Sequence, residues 1–217
     1  MAYSLARSGI LFCLVGPVGS GKTSLSRALI EANPGSLKLS ISATSRPIRT
    51  GETPGQSYHF VSEQEFQKRV AAGDFFEWEK VHGNYYGTLI ATLNEAIKDG
   101  IDLILDIDIK GAQNFRRKYP DQAVSIFLVP PSASALRERV MARSKVSDQE
   151  LRNRLNTAQQ EYDTIISISG VPGSWDYLVI NDKYEETLAT LQAIISAERA
   201  KIWRMNQKDL QRYCKVD

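Results

Sequence analysis

The sequence predicts an α/β fold built on a doubly wound parallel sheet, with two segments inserted into one core. Short apolar runs alternate with helix-compatible stretches along the 217 residues, as in parallel sheets that are buried on both faces. The first run leads through a glycine-rich turn into a helix. Two polar stretches, about 40–90 and 134–164, interrupt the pattern, so we assign the core to about 1–39, 91–133 and 165–217.

Five apolar runs are the candidate strands. Four of them are continuous, namely Ile10–Val15, Leu103–Ile107, Ser125–Val129 and Tyr177–Ile180. Leu37–Ile41 alternates apolar and polar side chains, which predicts a half-exposed strand. In a sheet of this class, ligands bind at the carboxyl ends of the strands.

The helices are predicted from capping and stop signals. The segment Ser24–Ala32 follows the glycine-rich turn. Capping boxes begin at Ser62 and at Ser147, each with a glutamate three residues later. A helix is predicted over Thr88–Asp99, before a glycine, and a long charged helix is predicted over Glu185–Lys208.

Composition excludes several classes of protein. The formal net charge is only +2, so we expect no nucleic-acid partner. With two histidines in the chain, a histidine-rich metal site is excluded. Cys13 lies in the first apolar run and is predicted to be a buried, reduced thiol. No apolar stretch approaches the ~20 residues that span a bilayer, and the beginning of the chain lacks a signal-peptide pattern, so we expect a cytoplasmic protein.

The most specific pattern in the chain is G-x-x-x-x-G-K-[ST], the phosphate-binding P-loop. A strand that feeds a glycine-rich turn into a helix directs backbone N–H groups at one point. Lys22 can then reach the β- and γ-phosphates of a nucleotide, and the Thr23 hydroxyl can bind Mg²⁺. The alternative is a purely structural turn. The residues predicted to bind the phosphates are Gly16, Pro17, Val18, Gly19, Ser20, Gly21, Lys22 and Thr23.

Basic and acidic side chains outside this loop add further candidates. Arg46 and Arg49 bracket a proline, and two guanidinium groups on a stiff loop suit a phosphate, although they could equally be surface arginines in a solvated turn. Asp106 and Asp108 end a predicted strand and are expected to share one face. An acid in that place commonly faces the metal of a P-loop protein, whereas the alternative is an ordinary strand end.

Aromatic and carboxylate side chains also occur in the first inserted stretch. Tyr58 and Tyr86 could donate hydrogen bonds to a phosphate, or could simply be packed aromatics. Glu77 stands among aromatic residues and could accept from a ligand or point to solvent.

Together these motifs resemble the guanylate kinase family from about Ile10 to Ala197. The motifs that carry the resemblance are the P-loop, S-x-T-S-R-P-x-R-x-G-E, Y-H-F-V-S, G-N-Y-Y-G-T, L-D-I-D-x-x-G-A, P-P-S and V-I-N-D. The resemblance implies transfer of the γ-phosphate of ATP to GMP or dGMP, with Mg²⁺, in purine nucleotide metabolism. It also implies that 40–90 is a GMP-binding subdomain and that 134–164 is a mobile lid.

The resemblance further implies a role for each matching residue. For the GMP phosphate it implies Arg46, Arg49, Tyr58 and Tyr86. For the guanine base it implies Ser42, Glu77, Thr88 and Asp108. Asn181 would contact adenine, and Asp106 would bind the metal through water and border the GMP. The implied catalytic residues are Lys22, Arg46, Arg139, Arg143 and Arg154.

Two other functions remain open beside this one. A guanylate-kinase-like scaffold would bind peptides without catalysis, but such domains usually lack the lysine and arginines retained here. A related kinase for a ribose bisphosphate would not need the guanine pocket. We expect small-molecule partners, no membrane association, and a monomer or small homo-oligomer. Departures from the family pattern occur at Val18, at Ser144 and in a longer 166–175 stretch that is expected to be a surface loop.

Overall fold

The computed structural model of the protein describes residues 6–81, 83–143, 147–168, 171 and 174–214. Its strands are Leu11–Val15 (β1), Leu37–Leu39 (β2), Ala43–Thr44 (β3), His59–Phe60 (β4), Phe75–Val81 (β5), Asn84–Leu89 (β6), Asp102–Asp106 (β7), Ala123–Val129 (β8) and Tyr177–Ile180 (β9). Its helices are Lys22–Ala32 (α1), Glu63–Ala72 (α2), Ile90–Lys98 (α3), Ile109–Lys118 (α4), Ala133–Arg143 (α5), Asp148–Ile168 (α6), Tyr184–Arg199 (α7) and Gln207–Tyr213 (α8), with a 3₁₀ turn at Ile202–Arg204.

The main sheet has the strand order β2-β7-β1-β8-β9, and its neighbouring strands are parallel. Alternate residues of the central strand β1 enter two cores. Phe12 and Leu14 pack on the side of α1 and α7, whereas Leu11 and Cys13 pack on the side of α3 and α4. The predicted α/β fold with a doubly wound parallel sheet is therefore confirmed. Cys13 is fully buried and free, as expected, and burial raises the pKa of its thiol.

The segment between β2 and α3 forms a second, smaller sheet with the order β4-β3-β6-β5. Helix α2 packs Phe66 against Phe75, with ring centroids 4.3 Å apart, so this segment has a small core of its own. The predicted cap of α2 is confirmed, because Ser62 Oγ accepts a hydrogen bond from the backbone N–H of Glu65.

Helices α5 and α6 pack against each other through a separate apolar contact. Leu136 and Val140 of α5 pack with Leu151 and Ala158 of α6. Ser147 Oγ accepts from the backbone N–H of Glu150, which confirms the second predicted cap. Ser144 lies outside the described residues. The helix α6 reaches Ile168, so the first residues of the expected 166–175 loop are helical.

Three local predictions were wrong. The helix predicted from Thr88 begins at Ile90, because Thr88 pairs with Glu77 in the β5–β6 hairpin. Asp108 does not continue the strand beside Asp106, since it caps α4 by accepting from the backbone N–H of Gly111 at 2.7 Å. The third wrong prediction is the single helix over Glu185–Lys208.

The predicted helix Glu185–Lys208 is divided into α7, the 3₁₀ turn and α8. The break places Arg204 in the interior, where it donates to Glu198 Oε2 and to the carbonyl of Asp121. Asn206 then donates its backbone N–H to Ala6 and caps α8. Tertiary contacts therefore override the helical pattern here.

Candidate active site

The P-loop follows β1 and ends at α1, as the motif predicts. Gly16, Gly19 and Gly21 have φ values of +146°, +95° and +99°, in a region that L side chains rarely adopt. A Cβ at Gly16 would lie 2.1 Å from the carbonyl oxygen of Leu128, so the loop also needs glycine for space. The backbone N–H groups of this turn and of the amino end of α1 are therefore suited to bind a phosphate.

Lys22 lies folded across this loop. Its Nζ donates to the carbonyl of Gly16 at 2.5 Å and lies 3.5 Å from that of Pro17. Asp106, at the carboxyl end of β7, has Oδ1 3.8 Å from the same ammonium. The neighbouring Thr23 is exposed in the first turn of α1. Lysine, hydroxyl and carboxylate therefore converge beside the loop.

A cavity of about 690 Å³ lies against the P-loop and is bordered by Lys22, Thr23, Arg139 and Asn181. Arg139 donates to the backbone carbonyl of Asn181 at 2.9 Å. The Asn181 side chain is 5% exposed and donates to the carbonyl of Ser20 at 2.8 Å. Asn181 therefore borders the cavity and also holds the P-loop through its hydrogen bond to Ser20.

A second cavity, of about 550 Å³, lies between α1 and the small sheet. Thr23 and Asp106 border it on one side, and the predicted residues Ser42 and Tyr58 border it on the other. Because Thr23 and Asp106 line both cavities, the two spaces meet at the end of the P-loop.

Arg46 is held rigidly near this second cavity. Its guanidinium donates to Glu52 Oε1 at 2.7 Å, and this bond is the main cause that raises the pKa of Arg46. Its carbon Cζ lies 5.5 Å from the ring centroid of Tyr58, and that ring is 6.0 Å from Tyr86. Arg49 is exposed, and its backbone N–H donates to the same Glu52. Sequence reasoning missed Glu52 as the anchor of both arginines, although it ends the quoted arginine motif.

Three of the four residues predicted to read guanine, Glu77, Thr88 and Asp108, come together where the small sheet meets the beginning of α4, whereas Ser42 borders the second cavity. Glu77 faces Thr88 in the β5–β6 register, and Thr88 is 6% exposed. Glu77 Oε2 and Asp108 Oδ1 lie 3.4 and 3.2 Å from the place that a Cβ on Gly111 would take, so the two carboxylates are neighbours. Burial raises the pKa of Glu77, and the charge of Asp108 raises it further.

Helix α6 borders a third cavity, of about 560 Å³, which Lys22 and Asp106 also line. Arg154 lines it and donates to Glu150 one turn earlier. Glu161 also lines it, and sequence reasoning did not identify this residue because a helix interior gives no such signal. The side chain of Arg143 lies outside the described residues, so the structure does not place this candidate.

The donors at the P-loop suit a hydrated Mg²⁺ better than a metal held by protein alone. Among the described residues, no group of three or more His, Cys, Asp or Glu side chains could hold a metal. Mg²⁺ usually keeps several waters and takes one or two protein oxygens together with substrate phosphates. The Thr23 hydroxyl and the Asp106 carboxylate offer that donor set.

In the described part of the chain, no helix could cross a membrane.

Comparison with known proteins agrees with the geometry. The family model described as guanylate kinase matches residues 9–198. The guanylate kinase of Symbiobacterium thermophilum is 42% identical over 90% of this chain and 89% of its own length. That of Methylobacillus flagellatus is 43% identical over 94% of this chain and 95% of its own.

A solved structure is similar as well. The crystal structure of guanylate kinase from Anaplasma phagocytophilum superposes with a TM-score of 0.70 and 27% identity, covering 99% of this chain and all of that one. The family model, these relatives and this solved structure match nearly the whole chain, which therefore belongs to the guanylate kinase family of nucleoside monophosphate kinases.

Proposed function

We propose that the protein transfers the γ-phosphoryl group of ATP to a phosphate oxygen of GMP, or of dGMP, to give ADP and GDP. The observation that carries this proposal is the presence, in one protein, of a P-loop lysine, of the partly buried Glu77 carboxylate beside that of Asp108, and of an anchored arginine. In this proposal, the lysine and the arginine belong to the phosphate-binding part of the site and the two carboxylates to the part that reads the base.

The carboxylate of Glu77 suits guanine rather than adenine. Guanine offers N1–H and N2–H₂ on one edge, and a carboxylate can accept from both. Adenine has an acceptor at N1 and would leave the partly buried carboxylate unpaired. Sites that depend on such hydrogen bonds discriminate by about 10⁴ or more. We assign Ser42, Thr88 and Asp108 to the same pocket.

The reaction needs alignment and charge neutralisation more than a base. The second pKa of a phosphate monoester is about 6, so the GMP oxygen is already largely ionised at pH 7. Lys22, Arg46 and Arg139 supply positive charge between the two substrates, and we assign the same role to Arg143 and Arg154. Mg²⁺ held by Thr23, and by Asp106 through water, would neutralise the β- and γ-phosphates.

The α5–α6 pair is the proposed lid, and residues 40–90 are the proposed GMP-binding subdomain. Closure of a lid over the phosphates excludes water, which would otherwise hydrolyse ATP. Arg49, Tyr58 and Tyr86 complete the proposed grip on the GMP phosphate, and Asn181 is retained at the adenine side. A cytoplasmic place in purine nucleotide metabolism rests on this same activity.

A coupled ADP-release assay with MgATP tests the proposal against GMP, dGMP, AMP, CMP, UMP and ribose bisphosphate. Turnover confined to GMP and dGMP is the expected result. Turnover with ribose bisphosphate alone would identify the related sugar-phosphate kinase. A protein that binds GMP in calorimetry but turns over none of these substrates would be a scaffold.

The substitution Lys22→Met tests the P-loop in the same assay. Removing the ammonium is expected to lower kcat by about 100-fold or more, because the lysine stabilises charge that develops in transfer. GMP binding, measured by calorimetry, should stay close to that of the wild type. Lys98→Met, at the exposed end of α3, is the matched control and should leave turnover unchanged.

A further inference from the structure

Glu161 lies in the interior of α6 and has no part in the function argued so far. It follows Thr157 by one helical turn and Arg154 by two, so the three side chains share one face. All three border the cavity of about 560 Å³ that also contacts Lys22 and Asp108. Glu161 therefore faces the phosphate site across that cavity.

The Glu161 carboxylate has an unused acceptor. Its Oε2 is buried, and none of the residues that the structure describes donates a hydrogen bond to it. Such an oxygen has lost water without gaining a partner, which is unfavourable. Burial raises the pKa of Glu161, the positive charge of Lys22 lowers it, and the negative charge of Asp108 adds to the rise. Lys22 is thus a nearby cation that favours the ionised carboxylate.

Lys22, in turn, is held in a place that bound phosphates would change. Its ammonium carries three N–H donors. In this structure the ammonium is directed at the carbonyls of Gly16 and Pro17, which belong to the loop itself. To contact phosphates cradled by the loop, the ammonium must use its third N–H donor or turn away from one of these carbonyls. A hydrogen-bond acceptor outside the loop would then fix the direction in which the ammonium points.

We propose that Glu161 is a positioning residue for Lys22: when phosphates occupy the loop, its carboxylate accepts a hydrogen bond from the ammonium and fixes its direction. This inference rests on the proposed kinase function and deepens it. Asp106 already lies 3.8 Å from the ammonium on the side of β7, and Glu161 adds a contact from α6. The position of the proposed lid is thereby coupled to the aim of the lysine.

A double-mutant cycle of Glu161→Gln and Lys22→Met tests this coupling. The amide keeps the shape of the carboxylate but removes its charge. In the wild-type background we expect kcat to fall about 10- to 100-fold, the usual effect of losing a charged hydrogen bond, with the KM for GMP nearly unchanged. In the Lys22→Met background the same substitution should have no further effect. A residue with a purely structural role would cost the same in both backgrounds.

The cycle is read in two ways, by ADP release and by calorimetric binding of MgATP to all four proteins. Binding remains measurable where turnover is very slow. Asp163→Asn, on the exposed face of the same helix, is the matched control and should behave as the wild type. Circular dichroism checks the fold, and Glu161→Asp, which keeps the charge on a shorter arm, serves as a second variant that should retain part of the activity.

An undiminished effect of Glu161→Gln in the Lys22→Met protein, or no effect in the wild type, would overturn the proposal. A rise in the KM for GMP alone would also overturn it, since Glu161 would then act in the base pocket. If the wild type shows no GMP-dependent turnover, the proposed function fails instead, and the binding cycle still decides whether Glu161 and Lys22 are coupled.

Discussion

At the scale of single residues, Glu77 shows how a partly buried carboxylate lowers the free energy of unfolding. Its carboxylate is partly buried beside Asp108, and burial raises its pKa. The ligand-free folded state therefore holds the Glu77 proton to a higher pH than the unfolded chain does. The free energy of unfolding then falls as the pH rises from the ordinary glutamate range through the raised pKa.

The substitution Glu77→Gln should reverse this loss while it harms selectivity. We expect the variant to have a higher urea midpoint than the wild type at pH 7, and the difference should vanish at a pH well below the ordinary glutamate pKa, where both side chains are neutral in the folded and the unfolded state. The preference for GMP over AMP should drop by about tenfold or more, because one hydrogen-bond acceptor becomes a donor. A Glu79→Gln protein, altered at an exposed position of the same strand, is the control. Unchanged selectivity would remove Glu77 from the base pocket.

The backbone around a specific motif was more predictable from the sequence than the position of an individual side chain. The P-loop spelling alone predicted the strand, turn and helix around Lys22, because few other backbones accept that glycine spacing. Asp108 was assigned to the strand by its alternation with Asp106, yet it caps α4. The contact between Arg46 and Glu52 could not be anticipated, since it depends on how an irregular loop folds back. The roles assigned to the site residues remain predictions.

At the scale of elements, buried helices and strands were predictable from periodicity, whereas the end of the chain was not. The run Glu185–Lys208 has a helical pattern, but a buried ion pair between Arg204 and Glu198 requires a turn in the chain. Glu198 is 1% exposed and also accepts from the hydroxyl of Tyr177, whose pKa is raised to about 12, chiefly by burial. This break in the helix is thus determined by contacts between residues that are distant in sequence, and the helix propensity of the local residues does not predict such contacts.

The substitution Arg204→Met should be strongly destabilising for this reason. It leaves the buried charge of Glu198 with Lys201 as its remaining cation, and we expect a loss of about 3 kcal/mol in the free energy of unfolding. Adding Glu198→Gln should restore part of that loss, because the uncompensated charge is removed. Urea unfolding of the two variants measures both values. The site lies apart from the P-loop, so turnover of the folded fraction should change little; equal stability of Arg204→Met and wild type would contradict the argument.

At the scale of the whole molecule, the three cavities meet at one point. Asp106 borders all three, Lys22 borders the two beside the P-loop, and Thr23 borders the two beside α1. Strand β7 therefore contributes the Asp106 carboxylate to all three cavities, which adjoin one another around the P-loop. Two nucleotides bound in the two cavities that share Thr23 and Asp106 would have their phosphates adjacent.

This arrangement predicts that adenosine and guanosine joined by five phosphates will bind more tightly than either nucleotide. A linker that matches the span makes the second binding event intramolecular, which can strengthen binding by 10²–10⁴ without new contacts. Competition against MgATP in the ADP-release assay measures the inhibition constant. The same chain joining two adenosines is the control and should be weaker, because its second base leaves Glu77 unpaired. If both compounds inhibit no better than ADP, the two sites are not joined end to end, and the two adjoining cavities do not serve both substrates.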